Sequence, residues 1–93
     1  MFKYNSGTLN KIEQLFREAG YLIRYEKGNF KAGYCILENK KVVVINKYYT
    51  LEAKINALME ILTQINIDAE MLSDKSRNIF SKVTEATEQN SEN

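Results

Sequence analysis

The sequence of 93 residues contains no histidine, proline or tryptophan, and its only cysteine is Cys35. Histidine is the commonest metal ligand and the commonest general base near neutral pH, so its absence argues against most metal-dependent and base-catalysed enzymes. A zinc site would have to combine one thiolate with carboxylates, which is an unusual ligand set. We therefore expect no metal, no cofactor and no enzymatic activity.

The chain also lacks the features of membrane and exported proteins. Its apolar run from Val42 to Ile45 is far shorter than the roughly 20 residues that a membrane helix needs. The N-terminal sequence MFKYNSGTLN lacks the charged start and apolar stretch of a secretory signal. A single cysteine cannot form an intramolecular disulfide, which fits a reducing compartment. The sequence predicts a cytoplasmic protein without a membrane partner.

Charge is divided unevenly between the two halves of the chain. Residues 1–47 contain nine Lys or Arg against four Asp or Glu, whereas residues 48–93 contain four against eight. Such asymmetry can mark a nucleic-acid or membrane surface, or it can reflect attraction between the halves or between two copies of the chain, which is the interpretation we favour. Nucleic-acid footprints are usually strongly basic overall, and the net charge here is only +1.

Periodicity in the first half predicts one helix and three strands. Apolar residues recur every three or four positions from Leu9 to Ala19, which predicts an amphipathic helix that ends at Gly20. Alternation over YLIRYE predicts a strand, and YCILE and KVVVIN predict two more, joined by a short turn at Asn39-Lys40. We predict a three-stranded antiparallel meander, whose third strand is covered on both faces or nearly so.

The second half predicts helices and a tail. LEAKINALMEIL follows Thr50, a suitable N-cap, and has a narrow polar stripe, so we expect a helix buried on most of its circumference. A further interrupted helix or two short helices follow, with Ser73 as an internal cap. TEATEQNSEN has no large apolar residue and predicts disorder. The fold class is therefore α+β, of order αβββαα, with one domain at residues 1–83 and an acidic, polar tail at 84–93.

Two candidate catalytic features have simpler structural explanations. Glu52 and Glu60 share the polar stripe but lie about 12 Å apart along a helix, too far for a close carboxylate pair. Cys35 has no histidine to activate it and suits a small buried residue in a strand.

Lysines and aromatic residues alternate around the predicted strand ends and form a candidate interaction surface. Its members are Lys27, Phe30, Lys31, Lys47, Tyr48 and Tyr49. Such a surface can hold a single nucleic-acid strand by charge and stacking. Lysines on sheet edges also prevent aggregation, which is a sufficient structural explanation for several of them.

The segments AGYLIRYE, KKVVVIN and LEAKINALMEILT occur in an order that resembles the minimal zinc-peptidase scaffold of the ImmA/IrrE type. In that family the last helix carries HExxH. Laid on this motif, Met59 and Thr63 occupy the histidine positions, and Glu60 occupies the position of the general base. The resemblance implies a degenerate, non-catalytic zincin-like scaffold, and a coincidence of simple topology is the alternative. The whole chain also resembles small uncharacterised bacterial proteins.

Two functional hypotheses follow. The first is a non-catalytic protein-interaction module, whose partner is another protein or a second copy of this chain. The alternative is a single-stranded nucleic-acid-binding protein that uses the lysine and aromatic surface.

Overall fold

A computed structural model describes residues 3–28, 33–37 and 40–91, with side chains described for residues 3–28 and 40–85. The elements follow the order helix, three strands and two helices, with a short 3-10 turn at Ala69–Met71 between the last two helices. In the described part of the chain, every helix is too short or too polar to span a bilayer.

The first helix, α1, spans Ser6–Glu18 and has a defined start and end. Asn5 caps it, because its side-chain Oδ1 accepts a hydrogen bond from the Thr8 N–H at 2.8 Å. After Ala19, Gly20 adopts a φ of 91°, a left-handed conformation that few other residues adopt without strain. The predicted end of the helix at Gly20 is confirmed.

The predicted antiparallel meander is wrong. The strands are β1 (Tyr21–Glu26), β2 (Gly33–Leu37) and β3 (Lys40–Asn46), and their spatial order is β1-β3-β2. β1 pairs with β3 in parallel, and β2 pairs with β3 in antiparallel orientation. The sheet is therefore mixed, and the third strand of the sequence occupies its centre.

The apolar character of β3 explains this arrangement. A meander would place the glycine-containing β2 at the centre and β3 at an edge. Val42, Val43 and Ile45 are all buried, so burial of this run favours a position flanked by a strand on each side. The sequence predicts that β3 is covered on both faces or nearly so, but we did not infer from this that β3 is the central strand.

The second helix, α2, spans Leu51–Leu62, and its predicted N-cap is confirmed. Thr50 Oγ1 accepts a hydrogen bond from the Ala53 N–H at 3.1 Å. The polar residues Glu52, Asn56 and Glu60 are exposed, as the narrow stripe predicts. The opposite side of the helix faces the core through Ile55, Leu58, Met59, Ile61 and Leu62.

The third helix, α3, spans Asp74–Ser91. It therefore extends beyond Val83 into the segment for which the sequence predicts a disordered tail. Near this point Thr84 Oγ1 donates a hydrogen bond to the Phe80 carbonyl at 2.9 Å. The side chains described in α3 reach only Glu85, and disorder of the tail in solution stays a prediction.

The core lies between one face of the sheet and the helices. α1 contacts β1, α2 and α3, so it lies at the centre of the helical layer. Its fully buried side chains Ile12, Leu15 and Phe16 meet Val43 and Ile45 of the central strand in one cluster. The helices thus cover the sheet face formed by odd-numbered residues of β1 and β3.

Candidate functional site

The carboxyl ends of β1 and β3 lie together at one edge of the sheet. Their parallel register pairs Glu26 with Asn46, and the Lys47 N–H donates to the Glu26 carbonyl at 2.8 Å. Lys27 and Lys47 therefore leave the sheet side by side. The candidate surface predicted from sequence thus acquires two adjacent, exposed lysines at this edge.

Asn46 fastens the two segments that carry these lysines. Its side-chain Nδ2 donates to the Gly28 carbonyl at 2.8 Å, and its Oδ1 accepts from the Tyr48 N–H at 3.0 Å. Gly28 adopts a φ of 148°, which its missing Cβ permits. One buried amide therefore fixes both the segment after β1 and the turn after β3.

The other predicted surface residues differ in their positions. Tyr48 is 70% exposed beside Lys47, whereas Tyr49 is partly buried against the core and presents less of its ring. Phe30 and Lys31 lie outside the described residues. Of the predicted surface residues that the structure describes, Lys27, Lys47 and Tyr48 are exposed at this end of the sheet.

A second surface, which sequence reasoning missed, lies on the other face of the sheet. Strand register places Leu22 beside Val42 and Arg24 beside Val44. These residues do not belong to the core cluster of the described chain, and Leu22 is 53% exposed. Val42 is itself only 7% exposed, so the accessible part of this side is formed by Leu22, Arg24 and the half-buried Val44, and we call it the open sheet face. Its signal in the sequence is Leu22, an apolar residue at a position that the alternation assigns to the polar side.

Charges of both signs border the open sheet face. Arg24 Nε lies 3.4 Å from Glu26 Oε1, and both side chains are largely exposed. An exposed pair of this kind contributes little to stability, so both groups remain accessible to an opposing surface. Within the part of the chain that the structure describes, the face therefore combines an apolar part with a charged border that includes Arg24 and Glu26.

A polar cluster on the core side of the sheet has a structural role. The Tyr25 hydroxyl donates to Glu13 Oε2, and Lys54 Nζ lies 5.1 Å from the centre of the Tyr25 ring. Burial, followed by the hydrogen bond to Glu13, raises the pKa of Tyr25 well above its usual value. Tyr25 thus stays protonated at neutral pH and joins β1 to α1 and α2.

The positions that correspond to HExxH do not converge on an open site. Met59 is 6% exposed and belongs to the core, whereas Glu60 and Thr63 are exposed. Thr63 Oγ1 instead donates to the Glu60 carbonyl at 2.6 Å at the end of α2. Among the described residues, no three His, Cys, Asp or Glu side chains are grouped as metal ligands would be.

Comparisons with protein-family models, with curated proteins and with solved structures find no match for this chain.

Proposed function

We propose that this chain is a non-enzymatic protein-interaction module that self-associates through the open sheet face. The observation that carries the proposal is Leu22, an apolar residue of the edge strand β1 that is 53% exposed, whereas its neighbour Val42 on the central strand is 7% exposed. An apolar residue in this position gains free energy when a second surface removes it from water.

The parallel pairing of β1 and β3 supports a second layer over this face. Parallel strands are usually covered on both faces, because their apolar side chains point to both sides of the sheet. Here Val43 and Ile45 point into the core, whereas Val42 and Val44 point to the other face, where Val42 is already buried and Val44 is half-buried. The helices supply one layer, and in our proposal the second copy supplies the other.

Charge favours a second copy over an unrelated partner. A two-fold axis through the open sheet face brings the same surface of each copy together, so residues of opposite charge near that axis meet reciprocally. Arg24 of each copy then approaches Glu26 of the other, around an apolar centre of Leu22 and Val44. This arrangement matches the apolar centre and polar rim of protein interfaces.

The positions of the motif residues support a role without catalysis. Met59 packs in the core where the zincin-like resemblance would require a metal ligand, and the exposed Thr63 offers no imidazole. We propose that the scaffold is a degenerate zincin-like one, in which α2 packs in the core and carries no metal-binding motif.

Sedimentation equilibrium over a wide range of protein concentration tests self-association. We expect a reversible monomer–dimer equilibrium for the natural chain and a shift to monomer for Leu22→Asp. Met71→Asp is a matched control, because Met71 is 60% exposed on the 3-10 turn, outside the sheet. A strict monomer at the highest concentration reached, or equal effects of the two substitutions, contradicts the proposal.

The alternative function is single-stranded nucleic-acid binding at the carboxyl edge of β1 and β3. The observation that favours it is the adjacency of Lys27 and Lys47 beside the exposed ring of Tyr48. A fluorescence titration with mixed-sequence oligonucleotides should then show binding that weakens with salt and weakens further in Lys27→Gln/Lys47→Gln. Absence of salt-dependent binding eliminates this alternative.

A further inference from the structure

A groove of about 250 Å³ lies between α1 and α3, on a different part of the molecule from the open sheet face. Lys11 of α1 lines one side, and the residues of α3 that line it are Lys75, Asn78, Ile79 and Lys82. Those four residues are spaced by three, one and three positions, so they share one face of the helix.

A contact between the end of α1 and the start of α3 holds the two helices that border the groove together. Glu18 Oε1 accepts a hydrogen bond from the Ser73 N–H at 2.7 Å, directly before α3 begins. Ile79 is almost fully buried and belongs to the core, which seats the middle of the helix against the domain. Lys11 is therefore held opposite the lysines of α3.

The groove carries positive charge that its lining does not neutralise. Three of the five lining residues are lysines, and none is acidic. Among the described side chains, the ion pairs are Arg24 with Glu26 and Arg77 with Asp74, so no described carboxylate pairs with any of the three lysines.

The acidic residues closest in sequence to the lining are engaged elsewhere or lie beyond it. Asp74 Oδ1 lies 3.8 Å from Arg77 Nη1, and Glu13, two positions after Lys11, accepts a hydrogen bond from the Tyr25 hydroxyl. Glu18 accepts hydrogen bonds from Ser73 and Gln14. Glu85 lies one helical turn after Lys82 and does not line the groove.

We propose that this groove binds a small ligand that carries two or more phosphoryl groups. Lysine binds phosphate as a mobile point charge, and the Asn78 amide adds a neutral donor beside the ammonium groups. Sites for whole drug-sized ligands occupy roughly 300–1,000 Å³, so a groove of this volume suits the phosphoryl groups themselves. Any organic part of the ligand extends into solvent.

Titration with inorganic diphosphate at low salt, followed by amide NMR, tests the proposal. We expect saturable shifts centred on Lys11, Lys75, Asn78 and Lys82. In Lys75→Gln/Lys82→Gln the dissociation constant should rise about tenfold or more, because two charged contacts are lost. A parallel titration with a nucleoside diphosphate identifies the source: equal affinity indicates recognition of the phosphoryl groups alone, and tighter binding indicates that the organic part contributes.

Lys40→Gln/Lys41→Gln is the matched control, since it makes the same change in net charge at two exposed lysines at the start of β3, outside the groove lining. It should bind diphosphate as the natural chain does. The spectrum of each free variant verifies that its fold is retained. No saturable shift, shifts centred elsewhere, or equal weakening in the two double variants overturns the proposal.

Discussion

Glu18 and Ser73 are 55 positions apart in the sequence, and the Glu18 carboxylate accepts hydrogen bonds from both the backbone N–H and the hydroxyl of Ser73. The backbone hydrogen bond is the largest cause that lowers the pKa of Glu18, from 4.5 to about 2, and Gln14 contributes next. This contact joins the end of α1 to the start of α3.

The lowered pKa of Glu18 predicts an acid-dependent loss of stability. The folded state favours the ionised Glu18 carboxylate more than the unfolded state does. The contribution of Glu18 to folded-state stability is therefore complete above about pH 4.5 and is lost as pH falls toward 2. Glu18→Gln should melt at a lower temperature than the natural chain at neutral pH. Thermal denaturation across this acidic range should show a smaller pH dependence in the variant, and an unchanged dependence would contradict the assignment.

Tyr25→Phe should lower the free energy of unfolding by about 1 kcal/mol, because it removes the hydrogen bond to Glu13 at a partly buried position. Urea denaturation measures this loss. Tyr48→Phe is the control, since Tyr48 is mostly exposed and should change stability by less than about 0.5 kcal/mol. Equal losses in the two variants would show that the Tyr25 hydroxyl has no special role.

The same tyrosine predicts a change at alkaline pH. Its folded pKa lies above the usual value of 10, so its stabilising contribution is present below pH 10 and decreases as pH rises further. Phenolate absorbance should therefore retain one late-ionising component in the natural chain. That component should be absent in Tyr25→Phe.

Asn46→Ala should lower the free energy of unfolding by about 2 kcal/mol, since it leaves the Gly28 carbonyl and the Tyr48 N–H without their side-chain partner. Asn66→Ala provides a comparison at an exposed position. Chemical denaturation of the two variants gives the difference. A loss for Asn46→Ala below about 0.5 kcal/mol would mean that water satisfies both groups.

Leu58→Ala should lower the free energy of unfolding by about 3 kcal/mol, because Leu58 is fully buried in the core and its truncation leaves a cavity. Glu60, two positions further along α2, is exposed, and Glu60→Gln should change stability by less than about 1 kcal/mol. Denaturation of both variants tests whether α2 serves burial. A large loss for Glu60→Gln would contradict that role and would reopen the question of chemistry at this position.

Local signals in the sequence identified most of the elements but not their pairing. The alternation of Tyr21 to Glu26 and the cap at Thr50 depend on neighbouring residues, so both could be recognised directly. The order of the strands depends on which strand gains most free energy from burial at the centre of the sheet. That gain depends on contacts between residues far apart in sequence. The apolar run of β3 indicates a central strand, but the short connections between the predicted strands favoured a meander.

The candidate surfaces divide in the same way. Lys47 and Tyr48 could be selected because they follow a strand, whereas their adjacency to Lys27 depends on parallel register. The groove lined by Lys11 and Lys82 was not predicted, because the second half of the chain is acidic overall and its composition does not indicate a basic surface on α3. The packing of α1 against α3 brings Lys11 close to the lysines of α3, and this packing cannot be inferred from composition.

The most direct test of the central proposal is an isotope-filtered NOE measurement on a mixture of labelled and unlabelled chains. If two copies pack through the open sheet face, contacts between copies should appear at the methyl groups of Leu22 and Val44, and they should vanish in Leu22→Asp. Contacts centred on another surface, or none at the highest concentration reached, would contradict the proposal.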